Sequence, residues 1–229
     1  MGTISHRKFI RWLPDEASEP TSTLVLTSRD NRFVDIRVLL NDDGCMDSRC
    51  KGSTSIDCLD WAIGGTVSST INDSGIRRAK FSHWINSRSK DADGVADEGD
   101  MYEQADGTTL EKGSMVNPET GQDTAYEESW LDIEVAVNDD KKSCFVAKLD
   151  GKDCRGMVVM LDGLCQGVMR RGDHVAAERW EKKNGAWTRS VQVGQGDLVC
   201  ESLITDEEQF AVGHKIMSKE GTWQIVEAY

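Results

Sequence analysis

The N-terminal region alternates apolar and polar residues in the way that paired β-strands do. Residues 22–28 read STLVLTS and are β-branched and apolar, which is typical of a buried strand. After a short polar turn, residues 32–40 alternate, so that apolar side chains share one face and charged side chains share the other. The apolar set is Val34, Ile36 and Val38, and the charged set is Asp35 and Arg37. Together the two segments predict a β-hairpin.

The stretch from residue 97 to residue 130 predicts a run of three antiparallel strands. Asp106 and Gly107 form a hairpin dipeptide, and residues 117–121 carry Pro and Gly at turn positions. The strands predicted here are residues 99–105, 108–116 and 124–134. Three strands alone are not stable in water, so they require a sheet that closes or a second layer.

The rest of the chain continues in the same rhythm. Further strands are predicted at residues 56–66, 76–88, 144–149, 156–161, 164–170, 175–181, 187–193, 210–217 and 222–228. Residues 7–13 read as a short apolar lead-in, and residues 196–209 hold the one predicted helical turn. The fold class is therefore all-β, with the strand spacing of barrels or sandwiches. A boundary near residue 130 gives two domains, residues 1–130 and residues 131–229.

Charge and cysteine content narrow the function. The formal net charge is −13, which argues against a nucleic-acid partner because phosphate binding needs clustered Lys and Arg. No apolar run is long enough to cross a bilayer and no signal peptide is recognisable, so we expect no membrane partner and a cytoplasmic location. The seven cysteines include no CxxC pair and should be free thiols there. A metal site at Cys45 and Cys50 with a histidine is a weaker alternative.

The standard cofactor signatures are missing from the sequence. It holds no P-loop, no G-x-G-x-x-G, no G-x-S-x-G and no H-E-x-x-H. We therefore expect neither a nucleotide cofactor nor a metal. Any chemistry must come from polar side chains that point into a barrel, whose interior residues alternate with exterior ones.

Strand parity selects three candidate catalytic residues, His83, Tyr126 and Glu128. Glu128 would orient His83, His83 would transfer a proton near pH 7, and Tyr126 would donate a hydrogen bond to an enolate or carbonyl oxygen. The alternative is that His83 is a buried core residue, which is the commoner fate of a lone histidine on an apolar face. A separate alternative is that a bulge reverses the parity of this strand, so that Glu128, next to Glu127, faces solvent.

Four further residues are candidates for ligand binding. Trp61, Phe81 and Trp130 would form an aromatic cage around the same lumen, and Arg88 would bind a carboxylate or phenolate at its mouth. The expected ligand is an apolar or aromatic small molecule.

Many segments, in sequence order, resemble the fungal Hri family, which is named for interaction with casein kinase I. They are SEPTSTLVLTS, RFVDIRVL, LDWA, HWINSR, DEGDMY, DGTTLEKGSMVNPETG, YEESW, GMVV, CQGV and ERWE. The resemblance covers most of the chain, and residues 97–130 are its most specific part. It implies two tandem, antiparallel, lipocalin-like (calycin) β-barrels in a cytosolic fungal protein, with no established catalytic residues.

Two functions follow from these observations. The first is a small-molecule pocket in the N-terminal barrel, with a cofactor-free isomerase or cyclase of secondary metabolism as its catalytic form. The second is a non-enzymatic interaction protein that binds a kinase. A hollow first barrel favours the pocket, and a solidly packed barrel with an exposed apolar patch favours the interaction protein.

Overall fold

A computed structural model describes residues 1–46, 48–53, 55–136, 144–205 and 210–229. Two sheets contain nearly all of the regular structure in these residues. The last part of the segment predicted to hold a helical turn, residues 206–209, lies outside the described residues.

The first sheet is a closed, eight-stranded antiparallel barrel. Its strands are β1 (Gly2–Trp12), β2 (Thr21–Thr27), β3 (Arg32–Leu39), β5 (Leu59–Ile71), β6 (Arg77–Asn86), β7 (Ala96–Glu103), β8 (Thr109–Val116) and β9 (Asp123–Val135). Strands β1 and β9 close the barrel, with Gly2 opposite Val135 and Trp12 opposite Tyr126. Closure pairs every strand edge, which a lone antiparallel sheet leaves exposed.

The second sheet also has eight strands, in the order β15-β16-β10-β11-β12-β13-β14-β4. These are β4 (Lys51–Ser53), β10 (Cys144–Asp150), β11 (Cys154–Leu161), β12 (Leu164–Arg171), β13 (His174–Lys183), β14 (Ala186–Gly194), β15 (Lys215–Ser218) and β16 (Gly221–Ala228). Among the described residues no pairing joins β15 to β4, so this sheet is a curled, open layer. The all-β class and the first barrel are confirmed, whereas a closed second barrel is not.

Several predicted limits were wrong in detail. Residues 7–12 of the predicted lead-in are part of β1, because charged side chains such as Arg7 point into the barrel and hide the alternation. Strand β15 is shorter than the predicted residues 210–217. The helical turn is α1 (Cys200–Thr205). The predicted domain boundary near residue 130 falls inside strand β9, and β4, which precedes that boundary in the chain, pairs with the second sheet. The division into two domains stays a prediction.

The main apolar core lies between the barrel and the second sheet, outside the barrel wall. Val34, Ile36 and Val38 are fully buried there against second-sheet residues such as Val159 and Leu161. The opposite face of β3 therefore points inward, and it carries Asp35 and Arg37 into the barrel. Each apolar side chain buried in this core contributes about 1.5–3 kcal/mol.

Two buried polar side chains of the second sheet bind the barrel wall. The amide nitrogen of Gln166 donates hydrogen bonds to the carbonyl oxygens of Leu24 and Val34 at 2.9 and 3.1 Å. The guanidinium of Arg179 donates to the carbonyl of Ile36 at 2.7 Å and to Oε1 of Gln166 at 2.7 Å. These bonds fix the barrel against the sheet at one register.

The expectation of free thiols was wrong for one pair. Cys50 and Cys58 are joined as a disulfide, while Cys45, Cys144, Cys154, Cys165 and Cys200 are free. The pair lies on the segment that carries β4 from the barrel to the second sheet. Cys45 is exposed and Cys50 is bonded to Cys58, so the alternative metal site on this loop has no support from the described residues.

Candidate functional site

The first barrel is hollow. A cavity of about 440 Å³ runs from an exposed rim into its buried interior. Its wall combines apolar side chains, including Val25, Phe33, Ile63 and Trp130, with charged ones. The exposed rim includes Arg77, Glu103 and Glu134 at one end of the barrel.

A buried ion network forms the inner part of the wall. Oε1 of Glu128 accepts hydrogen bonds from Arg7 at 2.5 Å and from Arg37 at 3.1 Å. Arg37 also donates from Nε to Oδ2 of Asp35 at 2.9 Å, and Arg7 donates to Glu19 at 2.9 Å. Because these charges are removed from water, the pairing is needed to offset a desolvation cost of several kcal/mol per ion.

One atom of this network has no partner. Asp35 is only 4% exposed, and its Oδ1 accepts no hydrogen bond from any described residue. Burial raises the pKa of Asp35, and the charge of Arg37 opposes that rise. Asp35 is one of the residues that line the cavity, so a buried, unpaired carboxylate oxygen lies in the cavity wall.

A second acid, Glu111, lies across the cavity wall on β8. Its Oε1 accepts a 2.8 Å hydrogen bond from the Tyr126 hydroxyl, and its Oε2 accepts a 3.0 Å bond from the Trp130 indole N–H. Burial, followed by the nearby charge of Glu128, raises the pKa of Glu111 to about 7. Burial also raises the pKa of Tyr126, so Tyr126 is a donor and Glu111 is the group that titrates.

Two glycines make room for this pair. A Cβ at Gly99 would lie 2.5 Å from Cγ of Glu111, and a Cβ at Gly113 would lie 2.6 Å from the Tyr126 ring. Both glycines sit on strands next to the side chains that cover them, at opposed positions of β7 and β8. The bare backbone at these points is what lets both polar side chains lie flat against the wall.

The predicted histidine is held in a separate network. His83 Nε2 lies 3.0 Å from Oδ2 of Asp97, and Nδ1 lies 3.1 Å from Nδ2 of Asn86. Asn86 accepts a 2.9 Å bond from the Trp61 indole N–H, and the rings of Trp61 and His83 meet edge to face. The partner of His83 is therefore Asp97, not Glu128 as expected. Asp97 lines the cavity, whereas His83 does not.

The structure brings four of the seven predicted site residues to the cavity wall. They are Phe81, Tyr126, Glu128 and Trp130. Trp61 points into the barrel but does not line the cavity, and the guanidinium of Arg37 lies 5.1 Å from its ring. Arg88 is not at the mouth: it stacks on Trp61 at 4.4 Å and pairs with Asp60 at the opposite end of the barrel. The catalytic and binding roles of all seven stay predictions.

Two β-bulges explain why strict alternation along β5 and β6 assigns some residues to the wrong face of the barrel wall. The register of β5 shifts at Asp60, so Leu59 packs in the core between the sheets while Trp61 points inward. The register of β6 shifts at Trp84, which sends Ile85 outward although Phe81 points inward. A bulge reverses the faces that simple alternation assigns.

Sequence reasoning missed Glu111, Asp35, Arg37 and Arg7 as site residues. The signal available was the charged face of β3, opposite a wholly apolar face. It identifies inward-pointing charge once the core is known to lie outside the barrel. For Glu111 the nearest signal was the glycine two residues after it, Gly113, in a strand interior.

Within the described ranges, His, Cys, Asp and Glu side chains form no group of three or more that is arranged to hold a metal ion. None of the helices in the described part of the chain is long and apolar enough to cross a membrane.

The fold and cavity define a class of all-β protein in which a closed barrel with a charged interior packs against a second, open sheet. Residues 3–227 match the model of the family described as Protein HRI1, and the chain belongs to that family. The expected family resemblance is thus confirmed. Comparison with curated proteins gave no match.

A similar fold occurs in a solved structure. The crystal structure of an uncharacterized protein, YLR301w, from Saccharomyces cerevisiae aligns with a TM-score of 0.75 and 16% identity. The alignment covers 100% of this chain and 99% of the yeast chain. At this identity the likeness concerns the fold, which extends over both sheets.

Proposed function

We propose that the closed barrel binds a small molecule with an apolar or aromatic part in its interior. The observation that carries the proposal is the cavity of about 440 Å³, which falls in the size range of ligand sites. Small barrels that only support a fold fill their interior with side chains. The aromatic part of the ligand would lie against Phe33, Phe81 and Trp130.

The charge inside the barrel also supports a binding role. Arg7, Arg37 and Glu128 are buried, and replacing such a cluster with apolar side chains is often neutral or stabilising. Stability therefore gives no reason to keep them. A ligand that meets both polar and apolar walls does give one.

Binding is tested by affinity selection from a metabolite extract of the source organism, with mass spectrometry of what the protein retains. Met115→Trp places a large ring against the cavity, whereas Val116→Trp places the same ring on the outer surface, where Val116 is 62% exposed. We expect the wild type and Val116→Trp to retain the same compounds and Met115→Trp to lose them. Equal retention by both variants, or none by the wild type, would contradict the proposal.

A second candidate is cofactor-free isomerisation or cyclisation in the same cavity. The Glu111–Tyr126 pair favours it, because a carboxyl with a pKa of about 7 beside a hydroxyl donor suits proton transfer. In this proposal Glu111 takes the role first assigned to His83. Incubation of the extract with the protein in D₂O should make products heavier, and Glu111→Gln should abolish the change while Glu103→Gln at the rim keeps it.

The alternative, a cytoplasmic protein that binds a kinase, predicts a packed barrel instead. The hollow interior favours the pocket. The kinase proposal is tested by pull-down of a casein kinase from cytoplasmic extract with the purified chain. Retention that survives Met115→Trp would support a surface role independent of the cavity.

A further inference from the structure

The cavity carries far more negative than positive charge. Seven carboxylate side chains line it against two guanidinium side chains. The acids are Asp35, Asp97, Glu103, Glu111, Glu128, Asp132 and Glu134, and the bases are Arg37 and Arg77. Arg7 and Arg37 offset Glu128 and Asp35, so the excess of acids lies at Asp97, Glu111 and the rim. A cleft with an excess of one sign favours ligands of the opposite sign, here cations.

The positive groups do not reverse this balance. Arg37 is already paired with Asp35 and Glu128, and these two carboxylates offset its positive charge. Arg77 lies at the exposed rim, where solvent screens it. Arg77 shares the exposed rim with Glu103, Asp132 and Glu134, so a ligand carboxylate entering the barrel meets three acids and one guanidinium there.

A specific acceptor lies inside. Oδ1 of Asp35 is buried without a hydrogen-bond partner, while Oδ2 is held by Arg37. Leaving a buried carboxylate oxygen unsatisfied is costly unless something donates to it. An ammonium group supplies both the hydrogen bond and the charge.

An apolar part of the cavity wall lies next to Asp35 along β3. Phe33 lies two residues before Asp35 on β3 and points to the same side, about 7 Å along the strand. Its ring meets that of Phe81 edge to face, with centroids 5.3 Å apart. Ile63 and Val25 complete the apolar part. A ring joined to an amine by a short linker matches this spacing.

We infer that the barrel selects an organic cation, an aromatic or apolar primary amine whose ammonium donates to Oδ1 of Asp35 while its ring lies against Phe33 and Phe81. The inference rests on the proposed function, since it needs the cavity to be a binding site. It adds the chemical class of the ligand and the residue that sets it.

The test compares three molecules of one shape and different charge by calorimetry at pH 8. The probes are tryptamine, its alcohol counterpart tryptophol and the anion indole-3-acetate. We expect wild-type protein to bind tryptamine at least 10-fold more tightly than tryptophol, with indole-3-acetate weaker still. Met115→Trp should remove binding and Val116→Trp should keep it, which places the signal in the cavity.

Asp35→Asn keeps the shape of the side chain and removes its charge. It should weaken tryptamine at least 10-fold and change tryptophol by less than twofold. Asp123→Asn, an exposed acid of β9 that is not among the residues lining the cavity, should change the affinity for tryptamine by less than twofold. If Asp35→Asn fails to fold, the three wild-type affinities decide the question alone.

The outcomes separate this inference from the proposed function. Equal affinity for tryptamine and tryptophol, lost in Met115→Trp, would keep the cavity as a binding site and overturn selection of a cation. Preference for indole-3-acetate would overturn it in favour of Arg37 or Arg77 as the recognition group. No binding of any probe would overturn the inference for aromatic amines, and retention of metabolites from extract would still test the pocket itself.

Discussion

The Tyr126 hydroxyl donates a 2.8 Å hydrogen bond to Glu111 across the inside of the barrel. Tyr126 stands opposite Gly113 on the neighbouring strand, so its side chain reaches diagonally over the glycine to the acid two residues away. Trp130, opposite Thr109, reaches Glu111 from the other side. The acid is thereby held in place at the point where burial brings its pKa to about 7.

The raised pKa of Glu111 makes the folded protein lose stability as the pH rises from about 4.5 to about 7. Unfolded Glu111 titrates near its ordinary value of 4.5, and folded Glu111 titrates near 7. Between these values the folded protein holds a proton that the unfolded chain has lost. The contribution of protonated Glu111 to the free energy of unfolding is therefore fully present below pH 4.5 and is lost as the pH rises to about 7.

Glu111→Gln should remove that dependence. We expect the wild type to lose up to about 3 kcal/mol relative to Glu111→Gln between pH 5 and pH 8. Urea denaturation at several pH values measures both free energies of unfolding. Parallel curves for the two proteins would show that Glu111 does not titrate in this window. Glu103→Gln at the exposed rim is the control and should stay parallel to the wild type.

Gly99→Ala should disturb the same acid by steric contact. The new Cβ would lie 2.5 Å from both Cγ and Oε1 of Glu111, and overpacking of this kind costs about 1–3 kcal/mol. The free energy of unfolding should fall by that amount. Shortening the acid relieves the contact, so Gly99→Ala combined with Glu111→Ala should be less destabilised than the sum of the two single variants. Additive losses would mean that the residues do not press on each other.

Glu128→Gln tests the buried ion network. The change leaves Arg7 and Arg37 without a shared carboxylate, and breaking a buried pair costs roughly 3 kcal/mol. We expect a clear fall in melting temperature. Glu134→Gln, an exposed acid on the same strand, should change stability by less than about 0.5 kcal/mol. A loss of similar size in both variants would indicate a general charge effect.

Strand β3 shows which part of the fold the sequence predicts and which part it does not. Alternation places Val34, Ile36 and Val38 on one face and Asp35 and Arg37 on the other, and the structure keeps that division. Alternation does not say which face looks into the barrel. The second sheet decides that, because it offers a large apolar surface outside the wall, and no local pattern in β3 contains that information.

The site depends even more on distant pairing. The one-residue bulges at Asp60 and Trp84 set which side chains of β5 and β6 turn inward, and neither position carries a Gly or Pro that would mark it. Tyr126 and Glu128 were predictable because β9 is regular there. Glu111 was not, because its importance comes from the hydrogen bonds of Tyr126 and Trp130 and not from its own segment.

Arg179→Met should weaken the attachment of the barrel to the second sheet. Arg179 is 3% exposed and donates to the carbonyl of Ile36, to Ser22 and to Gln166, so removing it leaves several buried acceptors without a donor. Each unsatisfied group costs about 1–3 kcal/mol. We expect a loss of roughly 3–5 kcal/mol or failure to fold. Arg171→Met, on the edge of the neighbouring strand and paired at the surface with Glu220, is the control and should cost less than about 1 kcal/mol. Hydrogen exchange would locate the effect: amides of β2 and β3 should lose protection in Arg179→Met, and unchanged protection there would contradict a role for Arg179 in fixing the barrel to the sheet.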